Sequence, residues 1–229
     1  MRVSIIIPTL NEVQTIGEIL KQVDEVDLGP GKEIVIVDGN SKDGTQDIIK
    51  KFSGGRAYVK CIFEEKPEGK GRAVRRGIER ATGDIIVIQD GDLEVSPFEL
   101  PALIRPILDG ETDVVYGSRF LHGRGKTPGG SYIGNRIVTF FCNILFCTWL
   151  TDMATCHKVV RRRVMEDIEL KSKSFDFDAE ITAKLLKRKN KIKELPIEYV
   201  PRGVDEGKKL HWSVGFKVII ALIKYRFIP

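Results

Sequence analysis

The sequence predicts an α/β fold: a mostly parallel central sheet flanked by helices. Three observations predict it. Five short β-branched runs, at residues 3–7, 33–37, 58–63, 84–89 and 113–116, alternate with helix-patterned stretches at 12–23, 44–52, 70–81 and 97–108. That is the rhythm of strand–crossover–strand units. Residues 34–37 and 85–88 are apolar at every position, as strands covered on both faces require. The polar residues with chemical potential stand just after the runs, where ligands bind in such sheets.

Each element follows from local pattern. The first run, Val3-Ser4-Ile5-Ile6-Ile7-Pro8, lacks the long apolar stretch and cleavage site of a signal peptide and reads as a strand. The alternation ends near Ser118. A glycine-rich basic loop follows, His122-Gly-Arg-Gly-Lys-Thr-Pro-Gly-Gly130, of a kind that is either mobile or ordered by a ligand. Residues 137–150 are apolar except Thr139, Asn143 and Thr148. At about 14 residues this stretch falls short of the roughly 20 a membrane span needs; it is a buried helix or one lying in a membrane interface. A helix at 178–188, a strand at 193–199 and a polar loop at 201–210 come next. The tail, 212–227, is apolar but interrupted by Lys217 and Lys224. The expected organisation is therefore one domain over 1–210, with a nucleotide-binding half (1–117) and an acceptor-side half (118–210), followed by an amphipathic helix over 211–229.

Bulk composition narrows the class. The 229 residues are 42% hydrophobic and 30% charged, an ordinary folded-protein mix in a chain long enough for a core without staples. Cys61, Cys142, Cys147 and Cys156 show no Cys-x-x-Cys spacing. They read as reduced thiols of a cytoplasmic protein. The net charge of +5 would suit nucleic acid, an acidic membrane surface or a phosphorylated substrate. Basic residues are spread along the chain while acidic motifs hold the strand ends, which argues against a nucleic-acid partner.

Two motifs carry the chemistry. Ile85-Ile86-Val87-Ile88-Gln89-Asp90-Gly91-Asp92 puts two carboxylates one residue apart at the end of a buried strand. In an extended segment, residues i and i+2 point to one side, so both acids can face one divalent cation. Hard oxygen ligands favour magnesium or manganese. Gly91 would let backbone approach a ligand, and Glu94 is a third candidate ligand. The second motif, Val35 to Thr45, ends a strand in an acidic turn that opens a helix. Asp38 is placed to bond a nucleoside and Asp43 to cap the helix.

After the first strand stands Pro8-Thr9-Leu10-Asn11-Glu12. With this motif the sequence resembles the family 2 glycosyltransferases. The resemblance runs on through Val37 to Thr45, Glu68-Gly69-Lys70-Gly71, Gln89 to Asp92 and Tyr116-Gly117-Ser118-Arg119, and covers essentially the whole chain. A narrower likeness, to polyprenyl-phosphate sugar synthases such as the dolichol-phosphate mannose synthases, is carried by residues 150–160, Phe175-Asp-Phe-Asp-Ala-Glu180 and Glu206-Gly-Lys-Lys-Leu210. The resemblance implies a GT-A fold, a GDP- or UDP-sugar donor, Mg2+ or Mn2+, and inversion at the anomeric carbon. The narrower likeness adds a polyprenyl phosphate acceptor and peripheral association at the cytoplasmic face of a membrane.

Carried over by position, Pro8, Leu10, Glu12 and Asp38 meet the nucleoside. Lys70, Asp90, Gly91 and Asp92 hold the diphosphate, with Asp90, Asp92 and Glu94 as metal ligands. Arg119 and Arg202 meet the acceptor phosphate or the diphosphate, with Arg136 and Lys208 as further candidates at the acceptor phosphate. Asp152 orients the acceptor or serves as base; Arg75 is a further candidate at the diphosphate. Many relatives have Asp-Asp where this chain has Asp38-Gly39, which leaves the donor base open, and many carry membrane helices after this domain that are not read here. His122, His157 and His211 show no metal-ligand spacing, and His157 is expected half-buried or exposed. The absence of a glycine-rich phosphate loop after the first strand argues against a nucleotidyltransferase and against a Rossmann dehydrogenase.

Overall fold

The computed structural model describes residues 1–29, 31–174, 176–202 and 213–228. Its strands are β1 Val3–Thr9, β2 Lys32–Asp38, β3 Val59–Phe63, β4 Ile85–Ile88, β5 Val114–Ser118, β6 Lys158–Arg161 and β7 Ile192–Pro196. Its helices are α1 Ile16–Glu25, α2 Thr45–Ser53, α3 Lys70–Arg80, α4 Leu100–Leu108, α5 Gly129–Phe146, α6 Arg162–Glu166, α7 Phe177–Lys187 and α8 Ser213–Phe227. A 3-10 turn, Pro97–Glu99, leads into α4.

The strands form one sheet in the order β3-β2-β1-β4-β6-β5-β7. β1 sits between β2 and β4, parallel to both, with Ile5 opposite Ile34 and Val87. β6 runs antiparallel to β4 and β5, and β7 pairs parallel to β5. Alternate residues of β1 serve opposite faces. Ile5 and Ile7 pack with Ile34, Ile36 and Val87 against α1, α2 and α4. Ile6 packs with Val35, Ile86 and Ile88 against α3 and α7. Each such isoleucine, fully buried, stabilises the fold by roughly 1.5–3 kcal/mol.

Two elements depart from the sequence pattern. β6 was not expected: four residues between basic neighbours give no alternation to read, and Lys158 within it is fully buried. Its ammonium meets Asp178 at 2.5 Å and the carbonyl of Thr155. The apolar helix expected at 137–150 begins earlier and ends earlier, at Gly129–Phe146, because Asn143 bonds Leu150 through both side-chain atoms and closes the chain there.

The tail helix α8 packs on α5 and α7, sharing a cluster that includes Val138, Cys142, Ala179, Ala183, Val218 and Leu222. Its outward side keeps Phe216, Ile220, Ile223 and Phe227 exposed beside Lys217 and Lys224. Among the described residues, no helix is long and apolar enough to cross a membrane. All four cysteines are free thiols.

Candidate active site

The carboxyl ends of β1, β2 and β4 open on one side of the sheet, and the candidate residues collect there. Asp90 and Asp92 lie in the loop after β4. Its backbone passes through a left-handed conformation at Leu93, with φ 58°, a costly state for such a residue. Gln89 braces this loop. Its side-chain amide donates to the carbonyls of Asp90 at 3.0 Å and Val95 at 3.1 Å. Its oxygen meets His157 Nε2 at 2.8 Å. His157 is thus not half-exposed but fully buried, and burial lowers its pKa to about 4.

The two aspartates each hold a cation from elsewhere in the chain. Lys70 Nζ is 2.7 Å from Asp90 Oδ2. Burial opposes the charge on Lys70, but Asp90 and then Asp178 hold it firmly protonated. The lysine reaches Asp90 because α3 lies close on the sheet: a Cβ at Gly77 would stand 2.3 Å from Ile6 Cγ2. Arg202 Nη2 is 3.1 Å from Asp92 Oδ2, and its Nη1 is 2.8 Å from Glu12 Oε2. Arg202 therefore links the loop after β1 to the loop after β4. Burial, with Asp90 and Glu94 close by, raises the Asp92 carboxyl to about 7, against the pull of Arg202.

Glu94 departs from its expected part. It accepts from the backbone N–H of Arg202 at 3.1 Å and bonds the Tyr199 hydroxyl. The carboxylate is turned to the segment after β7, and among the described residues no three acidic, histidine or cysteine side chains form a metal-holding cluster. Gly91 also serves differently. A Cβ there would come within 3.3 Å of Thr9 Oγ1 and 3.4 Å of Ile16 Cδ1, so the close approach it permits is to β1 and α1. Its carbonyl accepts from Thr15 Oγ1 at 2.7 Å.

Among the residues expected at a nucleoside, Pro8 is buried in β1 and Leu10 is half-buried at its end. Asp38 is fully buried at the end of β2. Its oxygens accept from the N–H and hydroxyl of Ser41, at 2.9 and 2.5 Å, and from Gln46 Nε2 at 2.8 Å. Asp38 thus shapes the turn that opens α2. The cap position of α2 is Gly44; Asp43 instead ties Thr45 to Val13.

On the opposite flank, Arg119 grips Asp152 through two parallel bonds, Nε–Oδ2 at 2.7 Å and Nη2–Oδ1 at 2.8 Å. The Arg119 backbone N–H adds a third at 3.1 Å. Asp152 has no exposed surface. Both of its oxygens are engaged by the one guanidinium. Arg119 lies between the rings of Phe120 and Tyr199. Glu194 holds this corner from below, accepting from the N–H groups of Thr151 and Asp152 at 2.7 and 2.9 Å. Neither Glu194, in β7, nor Tyr199, just after it, carried a motif signal. Arg136 is exposed and bonds the carbonyl of Thr151 at 3.1 Å. Arg75 is tied to the carbonyl of Leu170 at 2.7 Å. Lys208, the motif at 206–210 and His211 lie outside the described residues.

Paired acids after the fourth strand, acids at the ends of the first and second, and an antiparallel β6 beside β4 define the class: a GT-A fold. The chain belongs to glycosyl transferase family 2, whose sequence pattern matches residues 4–169. It is 32% identical over 220 residues to a dolichol-phosphate mannosyltransferase of Pyrococcus furiosus, which covers 91% of this chain. The chain spans 59% of that relative's length. An undecaprenyl-phosphate mannosyltransferase of Micrococcus luteus is 28% identical, covering 96% of this chain and 92% of the relative. In fold, the chain resembles glucosyl-3-phosphoglycerate synthase of Mycobacterium tuberculosis crystallised with Mn2+, UDP and glucosyl-3-phosphoglycerate. The TM-score is 0.76 at 20% identity, over 100% of this chain and 81% of the other.

Proposed function

We propose that this chain transfers a sugar, with inversion at the anomeric carbon, from a nucleoside diphosphate sugar to the phosphate of a polyprenyl acceptor, using Mg2+ or Mn2+. The observation that carries the reading is the convergence of Asp90, Asp92, Lys70 and Arg202 at the carboxyl end of β4, with Arg119 fixed on the neighbouring flank. The relatives named for transfer to dolichol phosphate and undecaprenyl phosphate support the acceptor class.

The donor set suits a hard divalent cation. Burial, and then the nearby Asp90 and Glu94, raise the Asp92 carboxyl to about 7, and a bound cation would offset the cost of ionising it there. Asp90 and Asp92 would hold the ion, and when bound it supplies a Lewis acid for the charge that develops on the departing diphosphate. Lys70 and Arg202, released from the acids, stand ready to bond diphosphate oxygens. Fixed donors of this kind act most strongly in a site that excludes water. Leu10 and Glu12 would meet the nucleoside, with Pro8 and Asp38 buried behind them as its support.

An ionised phosphate acceptor needs no base near neutral pH. It needs positive charge and a fixed approach. Arg119, held by Asp152 and flanked by two rings, offers its planar donors in one orientation. Arg136 stands on α5 beside it, and Lys208 belongs to the same set by sequence.

The chain would meet its lipid at a membrane surface. Ile133, Ile137, Phe140 and Ile144 of α5 are exposed, as are Phe216, Ile220 and Ile223 of the adjoining α8. Exposed apolar side chains on two packed helices, with Arg136, Lys217 and Lys224 among them, suit the interface of an anionic bilayer. The test is a donor panel of GDP- and UDP-sugars with Mg2+ or Mn2+, scored for nucleoside diphosphate release. Release that depends on polyprenyl phosphate is expected; release that ignores it would overturn the acceptor assignment.

A further inference from the structure

His157 is fully buried just before β6, the strand that lies between β4 and β5. Its backbone carbonyl accepts from the N–H of Gly117 at 2.9 Å, near the end of β5 and two residues before Arg119. Its side chain reaches Gln89, just after β4, at 2.8 Å. The Gln89 amide nitrogen donates in turn to the carbonyls of Asp90 and Val95, the two ends of the loop that carries Asp90, Asp92 and Glu94. Those two bonds fix which way the amide points: its oxygen, an acceptor only, faces the ring. The ring nitrogen there is therefore the protonated one, and His157 Nε2 donates to Gln89 Oε1. Nδ1, left as a lone pair, has no hydrogen-bond partner among the described residues. The ring makes one hydrogen bond, and it goes to Gln89.

We infer that His157 is a positioning residue: acting through Gln89, it holds the loop of Asp90 and Asp92 in register with Arg119. Three observations carry this. The loop needs holding, because Leu93 within it is left-handed, with φ 58°, a state that persists only where the surroundings impose it. Stability gives the histidine little reason to be there, since a buried pair of polar groups adds little over apolar side chains of the same shape. The residue also stands at a seam. Its side chain is tied to the donor-side loop and its backbone to the strand that ends at the acceptor flank. An inverting displacement needs that separation fixed, because a misplacement of about 1 Å can cost about 100-fold in rate. The inference rests on the proposed function in giving Asp90 and Asp92 to the cation and Arg119 to the acceptor, and deepens it by naming the residue that sets one against the other.

The test is titration of the full chain with Mn2+, read by electron paramagnetic resonance, with GDP or UDP present. His157→Leu removes the donor to Gln89. His157→Gln replaces it, since a glutamine amide nitrogen reaches about as far as Nε2. The leucine variant should bind Mn2+ about 10-fold more weakly, and the glutamine variant should recover most of that loss. His157→Asn, one methylene shorter, should not recover it, and takes the place of leucine if that variant does not fold. In transfer assays the leucine variant should lower kcat more than it raises the KM for the acceptor. Wild-type Mn2+ affinity in the leucine or asparagine variant, with only the melting temperature lowered, would mark a structural residue and overturn the proposal. So would a glutamine variant as weak as the leucine variant. Failure of the wild-type chain to bind Mn2+ with either nucleotide would instead strike the proposed function, and this role with it.

Discussion

Arg119 and Asp152 meet end to end, Nε to Oδ2 at 2.7 Å and Nη2 to Oδ1 at 2.8 Å, with the carboxylate wholly buried. The pair fixes one planar cation at the acceptor flank. Removing one partner of such a pair leaves a charge uncompensated, at a cost of about 3–5 kcal/mol. Asp152→Ala should therefore lower stability by about 3 kcal/mol and acceptor kcat/KM at least 100-fold. Asp152→Asn, which keeps the shape and one acceptor, should recover part of both. Were Asp152 a base, the asparagine variant would be as inactive as the alanine variant and yet stable. Denaturant titration beside acceptor kinetics separates the two cases.

Asp92 presents the opposite balance. Its carboxyl is raised to about 7 by burial and by Asp90 and Glu94, so its ionised form opposes folding at neutral pH. Asp92→Asn should abolish turnover while raising stability at pH 8 by up to about 4 kcal/mol, at about 1.4 kcal/mol for each of the roughly three pH units between 3.8 and about 7. Thermal melts at pH 8 check the gain. A variant less stable than the wild type would show that the Arg202 contact outweighs the repulsion.

Much of this was legible in the sequence because the signals are local. Apolar runs such as Ile85–Ile88 announce covered strands, and the acids after them fall where an α/β sheet binds ligands. What was not legible depends on distant partners. Arg202 reaches Glu12 across 190 positions and Asp92 across 110. Nothing near Asp152 in sequence marks it as the anchor of Arg119, 33 positions away. Glu94 looked like a third metal ligand because it follows the paired acids, yet the segment at 199–202 draws it aside. His157 looked half-buried or exposed beside a lysine, and that lysine is itself buried.

Glu33 predicts the acid limit of the fold. Buried near the amino ends of the strands, it is bonded by Lys60 at 2.5 Å, Ser4 at 2.5 Å and the N–H of Thr82 at 2.8 Å. Burial alone would raise its pKa, but these bonds outweigh burial and bring it down to about 2. A carboxyl depressed in the folded state adds stability above its unfolded value, near 4.5, and loses it as pH falls toward 2. The contribution is on the order of 2–3 kcal/mol. Glu33→Gln should destabilise the chain at pH 7 and flatten its stability between pH 4.5 and 2, as read by urea titration at each pH.

The exposed faces of α5 and α8 predict a separation of binding from folding. Phe140→Glu and Ile220→Glu replace side chains that are 60% and 58% exposed. Each should change stability by no more than about 0.5 kcal/mol, while together they reduce flotation on anionic vesicles at least fivefold. Unchanged flotation would remove these helices from the membrane reading.

The most direct test of the account is the structure of the chain crystallised with Mn2+ and a nucleoside diphosphate sugar. The account predicts the ion between the Asp90 and Asp92 carboxylates, with the diphosphate against Lys70 and Arg202. A diphosphate bound elsewhere, with Lys70 still on Asp90 and Arg202 still on Asp92, would contradict it.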